Sequence, residues 1–247
     1  MAQRKPKSIE NPTATPGAQA KSAVSDTNVT PTVHEEIYGQ LKHSIVSGQL
    51  EPGRALTVRG LAGKYGVSAM PVREAIKRLV GLGALEQTPT RRIMVAQMTQ
   101  EKFIEITVAR KALEPALAVL ALRKLRLKPA KLEKLVALLG IVDAKLDGAI
   151  ETGNVADYGK YNSEFHFALY NAAKAPVMIG LVESLWLQIG PFMRIVLGRQ
   201  GTASLVDQHK EIIAALKARD TAKLEEAMRD DIMDGMSQIE YQLQAPE

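Results

Sequence analysis

The chain has 247 residues, 46% of them apolar and only 4% aromatic, with 32 Lys and Arg against 27 Asp and Glu for a formal net charge of +5. That length accommodates two modest domains, and the aliphatic bias suits helices packed through Leu, Ala, Ile and Val. The absence of cysteine excludes disulfides, thiolate metal sites and cysteine nucleophiles, and suits a reducing cytoplasm. No apolar run approaches the ~20 residues of a membrane span, and a pI of about 9.3 favours a polyanionic partner.

Residues 1–32 mix Pro, Thr, Ala, Ser and Lys with few large apolar side chains and are expected to form a disordered arm. They lack the apolar stretch of a secretory signal. Arg4, Lys5 and Lys7 suit nonspecific phosphate contacts or simply a solvated tail.

From residue 33 the pattern becomes periodic. Val33, Ile37, Leu41 and Ile45 advance in steps of four and predict a helix that Gly48 and the Glu51-Pro52-Gly53 turn stop. Leu56, Leu61, Ala62 and Tyr65 predict a second, shorter helix. Gly66 then supplies a turn that needs positive φ, with Val67 as its plug. Ser68 is placed to cap a third helix, and Pro71 falls in its first turn, where a missing N–H does little harm. Val72, Ile76 and Leu79 face inward, leaving Ala69, Met70, Arg73 and Lys77 outside. After Gly83, Ala84–Thr88 and Ile93–Ala96 predict a two-stranded hairpin whose tip is Pro89-Thr90-Arg91-Arg92.

Three short helices followed by a basic hairpin make a winged helix-turn-helix over 33–98. The third helix fits a major groove, where Arg73 and Lys77 reach phosphates or guanine edges. Arg91 and Arg92 at the wing tip suit phosphates or a narrow A·T-rich minor groove. The predicted partner is double-stranded DNA.

Residues 99–243 read as an all-α six-helix bundle, with helical patterns over 99–125, 129–151, 154–173, 176–199, 203–218 and 220–242 and a kink expected at Pro191. The fold class is therefore mainly α. Several polar residues sit where the helical stripes call for apolar ones: Arg110 between Ile106 and Leu113, Asn162 between Tyr158 and Phe165 with His166 one turn further on, His209 between Leu205 and Ile212, and Asp231 after Met228. Burying such groups unpaired costs several kcal/mol, so they satisfy one another or surround a ligand. Two histidines and a carboxylate facing one cavity match the ligand set of a divalent metal with open positions; a hydrogen-bonded polar core is the alternative. Arg110 is suited to hold a carboxylate whose other oxygen reaches the metal.

Ile45–Gly48, Pro52-Gly53, Leu61-Ala62, Gly66-Val67-Ser68 and Pro71-Val72-Arg73-Glu74-Ala75 together resemble the DNA-binding domain of GntR-family bacterial transcription regulators. Arg59 matches a family position that contacts DNA. The chain departs from the pattern at Ala69 and Met70, where the family usually has arginine and threonine, and at Arg92, where it has a wing-tip glycine. The operator is thus not expected to copy that of relatives, and Ser68 and Met70 join the expected DNA-facing set.

Arg110 with Leu113-Glu114, the Asn162–His166 segment, His209 and Ala227-Met228-Arg229 resemble the FCD effector domain of the FadR-like branch, with six helices closer to its VanR-like form. The resemblance implies a metal held by Asn162, His166, His209 and Asp231, the last two positions of the family set being usually histidines and the first usually an aspartate. Asn162 is a poor zinc ligand, so zinc, nickel, manganese and iron all stay open. It also implies a small carboxylate effector held by Arg110 and Arg194, although a surface salt bridge is the plainer reading of Arg194.

The resulting expectation is a cytoplasmic regulator, a repressor relieved by a small organic acid, acting as a homodimer on an inverted repeat. A two-His, one-carboxylate centre also occurs in metal-dependent enzymes, but no general base accompanies it here. Nonspecific DNA packing is the other alternative, distinguished by a salt slope without sequence discrimination.

Overall fold

The computed structural model describes residues 32–200 and 208–244. The arm expected over 1–32 lies outside them apart from Thr32. That residue caps α1 (Val33–Val46): its hydroxyl accepts from the Glu35 amide at 3.4 Å, and the Glu35 carboxylate accepts from the Thr32 amide at 3.0 Å, a reciprocal capping box. Leu41 and Ile45 on the predicted stripe are fully buried, whereas Val33 is exposed.

β1 (Ala55–Leu56) precedes α2 (Val58–Tyr65), and Gly66 closes that helix in the left-handed region at φ 65° before α3 (Ala69–Gly81) begins. Ser68 holds the N-cap position of α3, but its hydroxyl makes no capping hydrogen bond. Val72, Ile76 and Leu79 are buried as their spacing requires. β2 (Leu85–Gln87) and β3 (Ile93–Val95) form the expected hairpin, with Glu86 opposite Met94. The sheet has a third strand that the sequence reading lacked. β1 pairs antiparallel with β3 through Leu56 and Ile93, giving the order β1-β3-β2. Two residues are too short to display an alternation, and only the pairing makes them a strand.

The remaining elements are α4 (Gln100–Leu125), α5 (Pro129–Glu151), α6 (Val155–Ala172), α7 (Pro176–Gln200), α8 (His209–Ala218) and α9 (Thr221–Gln244). All six expected helical patterns are present, although 203–207, predicted to open the fifth, lie outside the described residues. α7 continues through Pro191. A second internal proline, Pro115, has no N–H to offer the Lys111 carbonyl one turn earlier. Arg229 of α9 donates to that carbonyl at 3.3 Å, so a neighbouring helix satisfies what the proline leaves open.

One apolar cluster runs from Leu41 and Leu79 in the N-terminal elements through Leu117, Phe165 and Leu187 to Leu216 and Met228 in the bundle. The join is made on the C-terminal end of α1. A Cβ added at Gly190 of α7 would lie 2.7 Å from the Val46 Cα, and one at Gly159 of α6 would lie 3.0 Å from the Ser47 carbonyl oxygen. Only glycine lets these backbones approach so closely. Around this contact Tyr38 and Lys42 of α1 both reach Glu183 of α7, and Ser184 donates to the Leu82 carbonyl at 2.9 Å.

Candidate DNA-reading face and candidate metal centre

The first face lies on α3 and the β2–β3 tip. Arg59, Ser68, Ala69, Met70, Arg73 and Lys77 are all exposed, with Met70 at 63%. A methionine so exposed on the first turn of a helix contributes nothing to the core beneath it. At the hairpin tip the Arg91 amide donates to the Thr88 carbonyl at 2.8 Å, and the Thr88 amide donates to the Arg92 carbonyl at 2.9 Å. The residue forced to positive φ is Arg91, at 61°, and not Arg92 at the position the family reserves for glycine. A non-glycine residue in this region costs about 1–2 kcal/mol. Both guanidinium groups project from an exposed turn.

The second site lies inside the bundle, where α6 supplies His166, the first turn of α8 supplies His209 and α9 supplies Asp231. One ligand atom from each lies within 4.8 Å of the others. The His166 Nε2 is 3.1 Å from Asp231 Oδ2 and 3.3 Å from His209 Nε2, and the His209 Nε2 is 3.8 Å from Asp231 Oδ1. Both histidines are almost completely buried. Phe165 stacks on the His209 ring at 3.8 Å between centroids, and Trp186 of α7 lies 5.0 Å from the His166 ring.

Hydrogen bonding sets which nitrogen of His166 faces the cluster. The Tyr170 hydroxyl has one proton and donates it to Glu114 Oε2 at 2.6 Å, because an ionised carboxylate accepts only. The Tyr170 oxygen, 3.1 Å from His166 Nδ1, must then accept from that nitrogen. His166 therefore carries its proton on Nδ1 and turns the Nε2 lone pair inward. On the other side, Asp143 Oδ1 of α5 stands 3.5 Å from His209 Nδ1, where its charge favours a proton on that nitrogen and leaves Nε2 to the cluster. Two nitrogen lone pairs and a carboxylate converging at 3.1–3.8 Å require a cation between them, a proton or a metal.

Electrostatics agree. Burial pushes the Asp231 carboxyl up, but the adjacent His166 and His209 outweigh it and hold the group well below the usual carboxylate range. For Asp143, burial acts upward and is outweighed by His209 and Lys210. Burial and the Glu114 carboxylate together push the Tyr170 phenol well above its ordinary value, so it remains a donor.

Arg110 is brought to the same interior and is buried, but it already has a partner. Its Nε donates to Glu114 Oε1 at 2.6 Å and its Nη2 to Oε2 at 3.3 Å, while among the described residues Nη1 reaches the Met236 thioether at 3.3 Å. The Trp186 ring lies 4.9 Å from the guanidinium carbon. Asn162 is half-buried one turn before His166, and the Arg194 side chain lies outside the described residues. Asp143, Tyr170 and Trp186 were not singled out by sequence, and Glu114 entered only with Leu113 as part of the resemblance, without a site role. The stripe criterion that selected Asp231 also fits Asp143, four residues after Leu139, and Glu114, four after Arg110.

A family model described as the bacterial regulatory proteins of the gntR family matches residues 33–95, and the FCD domain model matches 105–233. The chain is 32% identical over 188 residues to the HTH-type transcriptional regulator McbR of Escherichia coli, spanning 75% of this chain and 82% of that protein. It is 26% identical to the E. coli HTH-type transcriptional repressor GlaR, across 79% of this chain and 90% of that one. The solved structure of E. coli McbR/YncC superposes with a TM-score of 0.78 at 27% identity, covering 86% of this chain and 99% of that one. A GntR protein from Rhodococcus, at 22% identity and TM-score 0.65, has the same fold.

Proposed function

The chain belongs to the GntR family of bacterial regulators with an FCD effector domain and is a DNA-binding transcription regulator, not an enzyme; we propose that it is a repressor whose operator affinity is set by a small organic acid bound at a divalent metal in the bundle. The observation that carries the metal is the convergence of the His166 and His209 Nε2 atoms on Asp231, with Tyr170 bonded to the far side of His166 and Asp143 facing the far side of His209 at 3.5 Å. His166, His209 and Asp231 hold the ion, with Asn162 as the adjoining donor or water ligand; zinc, nickel, manganese and iron all suit two imidazoles and a carboxylate. The metal would supply a Lewis-acidic point for an effector carboxylate, and Arg110 Nη1, with Arg194, would take its other oxygen.

On the DNA side, Arg59, Ser68, Met70, Arg73 and Lys77 meet the major groove, and Arg91 and Arg92 meet the backbone or minor groove. The exposure of all seven supports this assignment. The working division is an arm over 1–32, a reading head over 33–98 and an effector and dimerisation bundle over 99–243, of VanR-like form. The active species is a cytoplasmic homodimer on an inverted repeat. Among the described residues no helix is long and apolar enough to cross a membrane.

Selection from a random DNA pool at near-physiological salt tests the reading. Enrichment of an inverted repeat is expected, with elemental analysis giving one metal per chain that His166→Ala loses. Binding without enrichment would favour DNA packing.

A further inference from the structure

Among the described residues of the reading head, Met70 at 63% and Val33 at 50% are the large apolar side chains most exposed to solvent. Val33 opens α1, whereas Met70 stands on the first turn of α3. The next two residues, Pro71 and Val72, are buried and anchor that turn to the core, while Ser68 and Ala69 before it are exposed. The backbone is therefore held from beneath, and Met70 is displayed and not packed. Arg73 follows it by three residues and Lys77 comes four later, so an apolar side chain and two exposed cations share one face of the helix.

Charge says what covers this face. With Arg73 and Lys77 beside Met70, Arg59 on α2 and Arg91 and Arg92 on the wing, the complementary surface is a polyanion. In its major groove a methionine has one good use. The thioether is a weak acceptor and the side chain has no donor, so it pairs poorly with the ring nitrogens, carbonyls and amino groups of base edges. The apolar group that a base edge displays there is the thymine 5-methyl. An apolar chain laid over any other edge strips water from polar atoms without replacing it, which costs binding. Methionine is unbranched and adaptable enough to lie along a methyl group, and Ala69 adds no bulk that would hold the helix away.

We propose that Met70 reads thymine: it seats on the 5-methyl group of one T·A pair in each operator half-site. Met70 is thus a specificity-determining residue that selects a base by apolar contact, where Arg73 and Lys77 act through charge and hydrogen bonds. A methyl contact releases no counterions, so its contribution is the same at low and high salt. The inference rests on the DNA-reading assignment above.

The test removes that methyl group and nothing else. Random-pool selection with the full chain supplies an enriched repeat, and duplexes of it are made with deoxyuridine replacing one thymine at a time. Deoxyuridine pairs as thymine does but lacks the methyl. Binding is followed by fluorescence anisotropy at two salt concentrations. At one thymine of a half-site the replacement is expected to weaken wild-type binding about fourfold, the worth of one buried methyl-sized group, and equally at both salts. Met70→Gln, similar in length and at an exposed position, should bind the thymine and deoxyuridine duplexes alike. A preference that persists undiminished in Met70→Gln overturns the proposal, because another group or the duplex itself then senses the methyl. A repeat whose thymines all tolerate deoxyuridine removes this inference only, whereas a pool that yields no enriched sequence removes the sequence-reading assignment along with it.

Discussion

The Tyr38 phenol donates to Glu183 Oε1 at 2.7 Å, and Lys42, one turn along the same helix, pairs with that oxygen at 2.9 Å. Arg78 of α3 lies over the Tyr38 ring at 3.6 Å, so one acidic side chain of the bundle gathers two helices of the reading head. Three residues further along α7, Trp186 rests against His166 and Arg110. A single helix thus touches both the interior site and the DNA-reading elements. Removing the bond by Tyr38→Phe is expected to cost about 1–2 kcal/mol in urea unfolding. It should also shrink the metal-dependent change in operator affinity, measured by fluorescence anisotropy; an unchanged response would place the coupling elsewhere.

Glu183 gives this contact a defined acid limit. Burial raises its carboxyl, but Tyr38 and Lys42 outweigh burial and hold it below its ordinary value of 4.5. A group depressed in the folded state contributes stability that is fully present above its unfolded value and is lost as pH falls through its folded one. The melting-temperature gap between wild type and Glu183→Gln should therefore be widest above the ordinary value of 4.5 and close only as pH falls through the lowered folded-state value.

Two glycines of α7 make an internal control. Gly180 is open on all sides within 4 Å, whereas a Cβ at Gly190 would press on the Val46 backbone at 2.7–2.9 Å. Gly180→Ala should stabilise the chain by up to about 1 kcal/mol through helix propensity alone. Gly190→Ala should destabilise it by about 1–3 kcal/mol through forced separation of α7 from α1. Denaturant titration of the pair separates the two effects.

Arg91 pays in stability for its place at the wing. Arg91→Gly relieves a backbone at φ 61° and should raise stability by about 1 kcal/mol while weakening DNA binding and lowering its salt slope by about one. Arg73→Ala should instead cost about 1–3 kcal/mol of specific binding if it reads a base. Gel shifts at several salt concentrations discriminate between base and phosphate contact.

Asp143 is expected to act on the metal through His209 without touching it. Asp143→Asn keeps the volume but removes the charge 3.5 Å from His209 Nδ1, and zinc affinity should fall about 10–100-fold in competition with a chelator. His166→Ala should lose the metal outright. A loss for His166→Ala with no change for Asp143→Asn would show that His209 is oriented by its Phe165 stack instead.

The helices of the bundle were readable in sequence because they carry apolar stripes and most are bounded by Gly, Pro or Asn, and the reading head because its turn glycine, inward aliphatics and basic outer face occur in order. Arg110, His166, His209 and Asp231 were found as polar breaks in those stripes. Their partners were not. Glu114 pairs with Arg110 on its own helix but takes the Tyr170 proton from another, Asp143 faces His209 across helices, and Tyr170, as an aromatic four residues beyond His166, passes for ordinary core. β1 escaped because a two-residue strand has no periodicity. The displacement of positive φ from Arg92 to Arg91 is fixed by hydrogen bonds of the tip to Thr88, which no composition reveals.

The apolar cluster that passes without a break from Leu41 and Leu79 to Leu216 and Met228 should make the two halves of this regulator melt together in calorimetry. Cut free near residue 98, the reading head would bare the α1 surface on which α6 and α7 lie, an adhesive patch where a soluble fragment needs a polar one. Swapping such a head onto a foreign sensor would therefore demand that the new sensor bring its own glycine-lined seat for α1.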